Sequence, residues 1–217
     1  MTSLGWLFTA ANLRFLAGGL GMTLAIAGLS IAISFVLGLA LALARLSRIA
    51  AVRVPATAYI EGMRALPVLL VIFFTYFALP QIGLRLSPFA AGVVAMSAFT
   101  ASLVAEIVRA GIQSVPVGLV EAAHGQGLTR AQTMRLVVLP IALRRMVPAL
   151  VSQFITLIKD TSLTAVIGIL ELVRRGEIIY SGPPFQPIPV IVLIALMYFA
   201  VNYALSVGSR RLEEVTA

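Results

Sequence analysis

Residues 15–44 read FLAGGLGMTLAIAGLSIAISFVLGLALALA, without a single Asp, Glu, Lys or Arg. An α-helix rises 1.5 Å per residue, so about 20 apolar residues cross the roughly 30 Å hydrocarbon core of a bilayer. Three more charge-free runs follow, at 65–84, 86–105 and 178–209. These runs predict an all-α integral membrane protein.

The composition of the whole chain supports this class. Of its 217 residues, 60% are hydrophobic and 11% charged, against about 25% charged in soluble domains. The length suits a single transmembrane domain over residues 1–217. The chain has no cysteine and one histidine, so we expect no disulfides, no metal site and no cofactor.

Five transmembrane helices are predicted. Their approximate bounds are 15–44, 65–84, 86–108, 141–165 and 187–208. The fourth is the weakest, because Lys159-Asp160 interrupts it. Loop charge does not separate four spans from five, since both arrangements place equal numbers of Arg residues in the cytoplasm. The length of the fourth segment favours five, because residues 146–165 alone are about as long as a bilayer is thick.

The arginines predict the orientation. Those after the first and third spans are Arg45, Arg48, Arg53, Arg64, Arg109, Arg130, Arg135, Arg144 and Arg145. Only Arg85 lies between the second and third spans. The positive-inside rule therefore places the 45–64 and 109–145 loops in the cytoplasm, the N-terminus outside and the C-terminus inside. The net charge of +8 is explained this way, with no nucleic-acid partner.

A polar loop at 116–138 predicts a cytoplasmic helix–turn–helix. Pro116 and Gly118 end the third helical segment, and residues 119–124 can form a short helix. Gly125-Gln126-Gly127 breaks that helix, and Thr129 can cap a second one. Such a compact element is suited to a groove on a partner protein. His124 within it is interpreted as a surface or interface residue.

The chain lacks the means to hydrolyse ATP by itself. A P-loop needs Gly-Lys-Ser/Thr, but Lys159 is the only lysine and Ile158 precedes it. The protein is therefore predicted not to be an enzyme, and an ATP-driven process would need another chain.

Three groups of charged residues lie at or near membrane depth. Glu61/Arg64 and Glu106/Arg109 have the i,i+3 spacing of helical ion pairs. We favour interfacial salt bridges, and the alternative is that Glu61, Arg64 and Glu106 line a substrate pathway.

The third group comprises Lys159, Asp160, Thr161 and Ser162. It offers an acceptor for a substrate ammonium and a donor for a substrate carboxylate. The alternative is an interfacial pair whose long side chain reaches the membrane surface, with Thr161 or Ser162 capping a helix. The residues leave both interpretations open.

Four ordered motifs give the chain a resemblance to ATP-binding-cassette (ABC) importer permeases of the polar amino-acid branch. The loop matches their signature at Glu121, Ala122, Ala123, Gly127, Val137, Leu139 and Pro140. Glu61–Pro67, Ala105–Ile112 and Lys159–Leu163 resemble three further elements of that branch. Departures at Ala65 and at Gly125-Gln126 leave the substrate open.

The resemblance implies a bacterial inner-membrane complex that works by alternating access. Its partners would be two ATPase subunits, a second permease subunit (identical or similar) and an extracytoplasmic substrate-binding protein. The cargo would be a polar amino acid, and the 116–138 loop would couple the permease to the ATPase. The alternatives are an ion-gradient-driven secondary transporter or channel subunit, and a non-transporting sensor or scaffold.

Overall fold

The computed structural model describes residues 4–216, with side chains for residues 5–208. In this part of the chain the secondary structure is entirely helical. The α-helices are α1 (Ala10–Arg45), α2 (Ala50–Ala65), α3 (Val68–Phe73), α4 (Pro88–Gln113), α5 (Val117–Gly125), α6 (Arg130–Thr133), α7 (Leu139–Asp160), α8 (Leu172–Tyr180) and α9 (Pro187–Thr216). Short 3-10 helices occupy Leu4–Trp6, Leu79–Ile82 and Thr161–Ile167, and π-helical turns occupy Phe74–Ala78 and Met134–Val138.

Three helices of the described chain are long and apolar enough to cross a membrane: α1, α4 and the Pro187–Gly208 part of α9. A fourth candidate combines α2 with the segment Val68–Ile82. The two parts are sharply bent at Leu66-Pro67, because a proline disfavours helical backbone at the residue before it. α7 is not among these candidates, since Arg144, Arg145, Lys159 and Asp160 lower its hydropathy.

The region 45–64, predicted as a loop, is mostly the helix α2. Two of the arginines that marked it as a loop lie on this helix, Arg53 in its first turn and Arg64 in its last turn. Arg45 ends α1, and Arg48 lies between the two helices. Pro55 lies inside this helix as its sixth residue, where it lacks the backbone N–H that would donate to the Ala51 carbonyl.

The chain forms two compact units. The first unit comprises the described residues of Met1–Ala32, Leu66–Ser97 and Phe154–Leu205. Its core contains Leu7, Leu16, Leu172, Val190 and Ile194, all buried. Gly176 allows close packing, because a Cβ there would lie 2.0 Å from the Ile194 side chain.

The second unit comprises the described residues of Ile33–Ala65, Ala98–Gln153 and Ser206–Ala217. Glycines again set the helix contacts: a Cβ on Gly38 would lie 2.6 Å from Val104, and one on Gly111 would lie 3.0 Å from Met146. α1 therefore packs closely on α4, and α4 on α7, because the glycines leave no side chain between the helices at these points. The single-domain boundary stays a prediction.

Candidate functional site

The polar loop of the second unit folds as a helix–turn–helix. α5 begins after Pro116 and runs through Gly118, which therefore lies inside the helix and does not end the preceding one. Gly127 adopts φ +85°, the left-handed conformation that glycine enters without steric cost. Its backbone N–H donates to the His124 carbonyl at 3.0 Å, which ends α5 where the sequence predicted a break.

The second helix of the loop starts with a capping box. The Gln132 backbone N–H donates to Thr129 Oγ1 at 3.4 Å, and the Thr129 backbone N–H donates to Gln132 Oε1 at 2.9 Å. The predicted cap at Thr129 is confirmed, and such caps contribute about 1 kcal/mol.

The lone histidine joins the two helices of the loop. His124 Nδ1 lies 3.1 Å from the Leu128 carbonyl oxygen and 3.4 Å from Thr133 Oγ1. A carbonyl only accepts, so Nδ1 carries the proton in this contact. His124 thus stabilises the turn. No group of three or more metal-binding side chains occurs among the described residues.

The signature residues of the loop divide between its surface and its interior. Glu121, Ala122, Gly127, Leu139 and Pro140 are exposed, whereas Ala123 is 5% exposed. Val137 is half-buried, and its neighbour Val138, which the motif did not mark, is buried. Large apolar side chains also face outward, namely Val117, Leu119, Met134 and Leu136. This mixed surface is what a docking element needs.

Five charged residues form an ion cluster in the same unit. Arg45, the last residue of α1, contacts Glu61 and Glu106 at 2.9 Å each. Glu106 also pairs with Arg109 and lies 3.6 Å from Arg64 Nη1. We refer to these residues as the Arg45 cluster.

The Arg45 cluster confirms one predicted pair and corrects the other. Glu106 and Arg109 do pair at i,i+3. Glu61 instead reaches Arg45, and Arg64 reaches Glu106, among the described side chains. In the sequence analysis Arg45 served only to predict the orientation, and its ion pairs with Glu61 and Glu106 were not predicted. Its position as the first charge after a long apolar run was the available signal.

In the first unit, Asp160 is the last residue of α7. Its carboxylate is half-buried and accepts no hydrogen bond from the described part of the chain. Lys159 beside it is exposed. Thr161 is fully buried, and its Oγ1 donates to the Ile158 carbonyl at 2.7 Å, so its hydroxyl proton is already engaged. Ser162 is half-buried.

A buried carboxylate, which the sequence did not single out, lies a short way downstream. Glu171 is 0% exposed and caps the N-terminus of α8. Its carboxylate accepts hydrogen bonds from the backbone N–H groups of Val173 and Arg174 at 2.9 and 2.7 Å, and from Tyr198 Oη at 3.2 Å. Burial raises the pKa of Glu171, and these hydrogen bonds offset only part of the effect. The only sequence signal was an acid directly before a basic helix.

Comparison with known proteins gives these features a context. Residues 34–214 match the family described as "Binding-protein-dependent transport system inner membrane component". The chain is 44% identical over 208 residues to a probable glutamine ABC transporter permease protein of Bacillus subtilis, with 95% of each chain covered. It is 40% identical to the glutamine transport system permease protein of Escherichia coli K12, with 90% of each covered.

A solved structure shows the same fold. The crystal structure of an amino acid ABC transporter with histidines superposes with a TM-score of 0.89 at 35% identity, covering 93% of this chain and 94% of that one. These relatives support the ATP-driven interpretation over the ion-gradient alternative. The chain belongs to the family of binding-protein-dependent transport system inner membrane components, as an ABC-importer permease of the amino-acid type.

Proposed function

We propose that this protein is one permease subunit of a bacterial inner-membrane importer that moves a polar amino acid into the cytoplasm, powered by two separate ATPase subunits. A second permease and an extracytoplasmic binding protein complete the complex. Two relatives carry glutamine in their names, so glutamine is the first substrate to test.

The observation that carries this proposal is the capped helix–turn–helix at 117–138. Its turn is fixed by Gly127, by the Thr129 capping box and by the His124 contacts. A short element that is ordered by its own hydrogen bonds can transmit a push as a rigid body. Its exposed Glu121 and apolar neighbours provide the contact surface for the ATPase.

The proposed topology has five spans, with the N-terminus outside and the C-terminus inside. α7 carries more charge than the other four, but its 22 residues reach about 33 Å. Its charges lie toward its two ends, so its centre is free of them. This topology places the 117–138 element in the cytoplasm, where ATP is available.

Asp160 is proposed as the contact for the substrate ammonium. A carboxylate that is half-buried and has no hydrogen-bond donor among the described residues still has acceptor capacity for a ligand. The exposed Lys159 is placed to attract the substrate carboxylate. The buried side chain of Thr161 packs behind this site, and Ser162 supplies a half-buried hydroxyl.

The Arg45 cluster is proposed to hold the ends of α1, α2 and α4 together. Glu106 already receives hydrogen bonds from Arg45 and Arg109, so it has little capacity left for a substrate ammonium. Glu61 has a side chain that is 62% exposed, and with Arg64 it is the part of the cluster open to a passing substrate.

Reconstitution tests the proposal. The permease is placed in proteoliposomes with its ATPase and binding protein, and uptake of labelled L-glutamine and of the other protein amino acids is measured with and without ATP. Uptake that requires both ATP and the ATPase supports the proposal. Uptake that persists without the ATPase contradicts it, and the absence of any uptake by the complete complex favours a sensor or scaffold.

A further inference from the structure

One segment of the first unit, residues 161–171, connects α7 to α8, and Tyr198 of α9 lies against both of its ends. We refer to it as the return segment. It starts directly after Asp160 and ends at the buried Glu171. The Tyr198 hydroxyl, from α9, donates to Glu171 Oε2 at 3.2 Å and also lies next to the Thr161 side chain.

The Glu171 end of the return segment is fixed by several further hydrogen bonds. Two backbone N–H groups of α8 donate to the Glu171 carboxylate. Thr23 of α1 accepts from the Leu172 backbone N–H at 3.3 Å, and its hydroxyl also lies beside Glu171 and Tyr198. A fully buried carboxylate with this many partners holds its neighbours in one arrangement, because losing any partner leaves a buried polar group unsatisfied.

The Asp160 end of the return segment is equally tight. Thr161 and Thr164 are both 0% exposed, and Thr164 Oγ1 donates to the Thr161 carbonyl at 2.7 Å. Gly92 of α4 lets the segment approach closely, because a Cβ there would lie 3.0 Å from Ile169 and 3.5 Å from Thr164. Thr161 is bonded to Asp160, so any shift of Thr161 moves the Asp160 backbone.

We propose that Tyr198, Glu171 and Thr23 are positioning residues for an amino-acid site at Asp160, acting through the return segment. This inference rests on the proposed substrate role of Asp160. The three residues need not touch the substrate. They keep the Asp160 carboxylate where an ammonium group can reach it, and pre-organisation of this kind lowers the cost of binding.

Tyr198→Phe is the sharpest variant, because it removes the hydroxyl and keeps the ring. The exposed Tyr203 on the same helix provides the matched control, Tyr203→Phe. Thr23→Val removes a second member of the network, whereas Thr23→Ser keeps its hydroxyl and should restore the wild-type behaviour.

The experiment measures equilibrium binding of labelled amino acids to the purified permease–ATPase complex in detergent, without the binding protein. L-Glutamine and the other protein amino acids are offered singly, and the one that binds the wild type most tightly is kept. We expect Tyr198→Phe and Thr23→Val to raise its Kd about five- to tenfold, with Tyr203→Phe and Thr23→Ser unchanged. In an Asp160→Asn background, Tyr198→Phe should cause no further loss.

The outcomes separate this inference from the function on which it rests. If no amino acid binds the wild type, or if Asp160→Asn binds normally, the Asp160 site is wrong and the inference falls with it. If Asp160→Asn abolishes binding while Tyr198→Phe keeps the wild-type Kd, the positioning role alone is wrong. A lower Tm for Tyr198→Phe with an unchanged Kd shows a purely structural role and also overturns the inference.

Discussion

Arg45 at the end of α1 donates a 2.9 Å hydrogen bond to Glu106 of α4, and the two side chains are only 16% and 20% exposed. The same guanidinium reaches Glu61 of α2 with its other terminal nitrogen. A planar guanidinium can serve two carboxylates in this way, which a lysine ammonium does less well. One side chain therefore joins three helices.

Arg45→Ala should lower the free energy of unfolding by about 1–3 kcal/mol, because it leaves a mostly buried carboxylate with fewer partners. Arg45→Lys should fall between the alanine variant and the wild type. The comparison is Arg174→Ala, whose pair with Glu177 is 41% exposed on each side and should be worth less than about 1 kcal/mol. Thermal unfolding in detergent measures all three, and equal losses for Arg45→Ala and Arg174→Ala would show that the bridge is unimportant.

Asp160→Asn should reduce uptake about tenfold or more and leave the subunits assembled, since it removes the charge that faces a substrate ammonium while keeping the side-chain shape. Lys159→Gln, at the exposed neighbour, should have a smaller effect. Uptake by the reconstituted importer and gel filtration of the complex provide the two readouts. Wild-type uptake by Asp160→Asn would remove this residue from the substrate pathway.

Glu171 should make stability depend on pH. Its pKa in the folded protein is raised above the ordinary 4.5 by burial, so the folded state holds this proton more tightly than the unfolded state does. The stabilisation is fully present below pH 4.5 and is lost as the pH rises through the raised value. Glu171→Gln cannot ionise and should flatten this decline.

The measurement is the Tm of the wild type and of Glu171→Gln in detergent between about pH 4 and pH 8. Subtracting the two curves cancels contributions from other groups. A difference that is constant with pH would show that Glu171 has no shifted titration.

The sequence predicted some elements well and others poorly, for identifiable reasons. α1 and α9 were predictable because a long charge-free apolar run rarely occurs in anything but a membrane-spanning helix. The cap at Thr129 was predictable because a capping box involves only residues that are three positions apart in the chain. α2 was missed because its arginines were interpreted as loop charges, and the acidic partner of Arg64, Glu106, comes from a distant part of the sequence.

The site residues divide along the same line. The Gly127 turn depends on neighbours in the chain and was predicted. The Glu171–Tyr198 contact joins residues 27 positions apart, and the Arg45–Glu106 contact joins residues 61 apart. No local pattern marks such partners, since only the folded chain brings them together.

Accessibility labelling should reveal the orientation. The chain has no cysteine, so Ser87→Cys and Ser181→Cys introduce single probes at exposed positions. Both should react with a membrane-impermeant maleimide added outside intact cells, whereas Gln126→Cys, in the turn after α5, should react only after lysis. Labelling of position 181 from the cytoplasmic side alone would rule out five spans with the N-terminus outside.

If ATP energy enters through the 117–138 element, reversing the charge of Glu121 on α5 with Glu121→Arg should uncouple the importer from its ATPase. Glu121 is exposed, so reversing its charge should leave the fold intact. Glu177→Arg makes the same charge change on α8 and is the control.

The measurement is the amount of ATPase that co-purifies with the permease, with ATP-driven uptake measured on the same preparations. We predict that Glu121→Arg loses most of the bound ATPase and of the uptake while Glu177→Arg keeps its ATPase. Full ATPase binding and uptake by Glu121→Arg would contradict this account of the coupling surface.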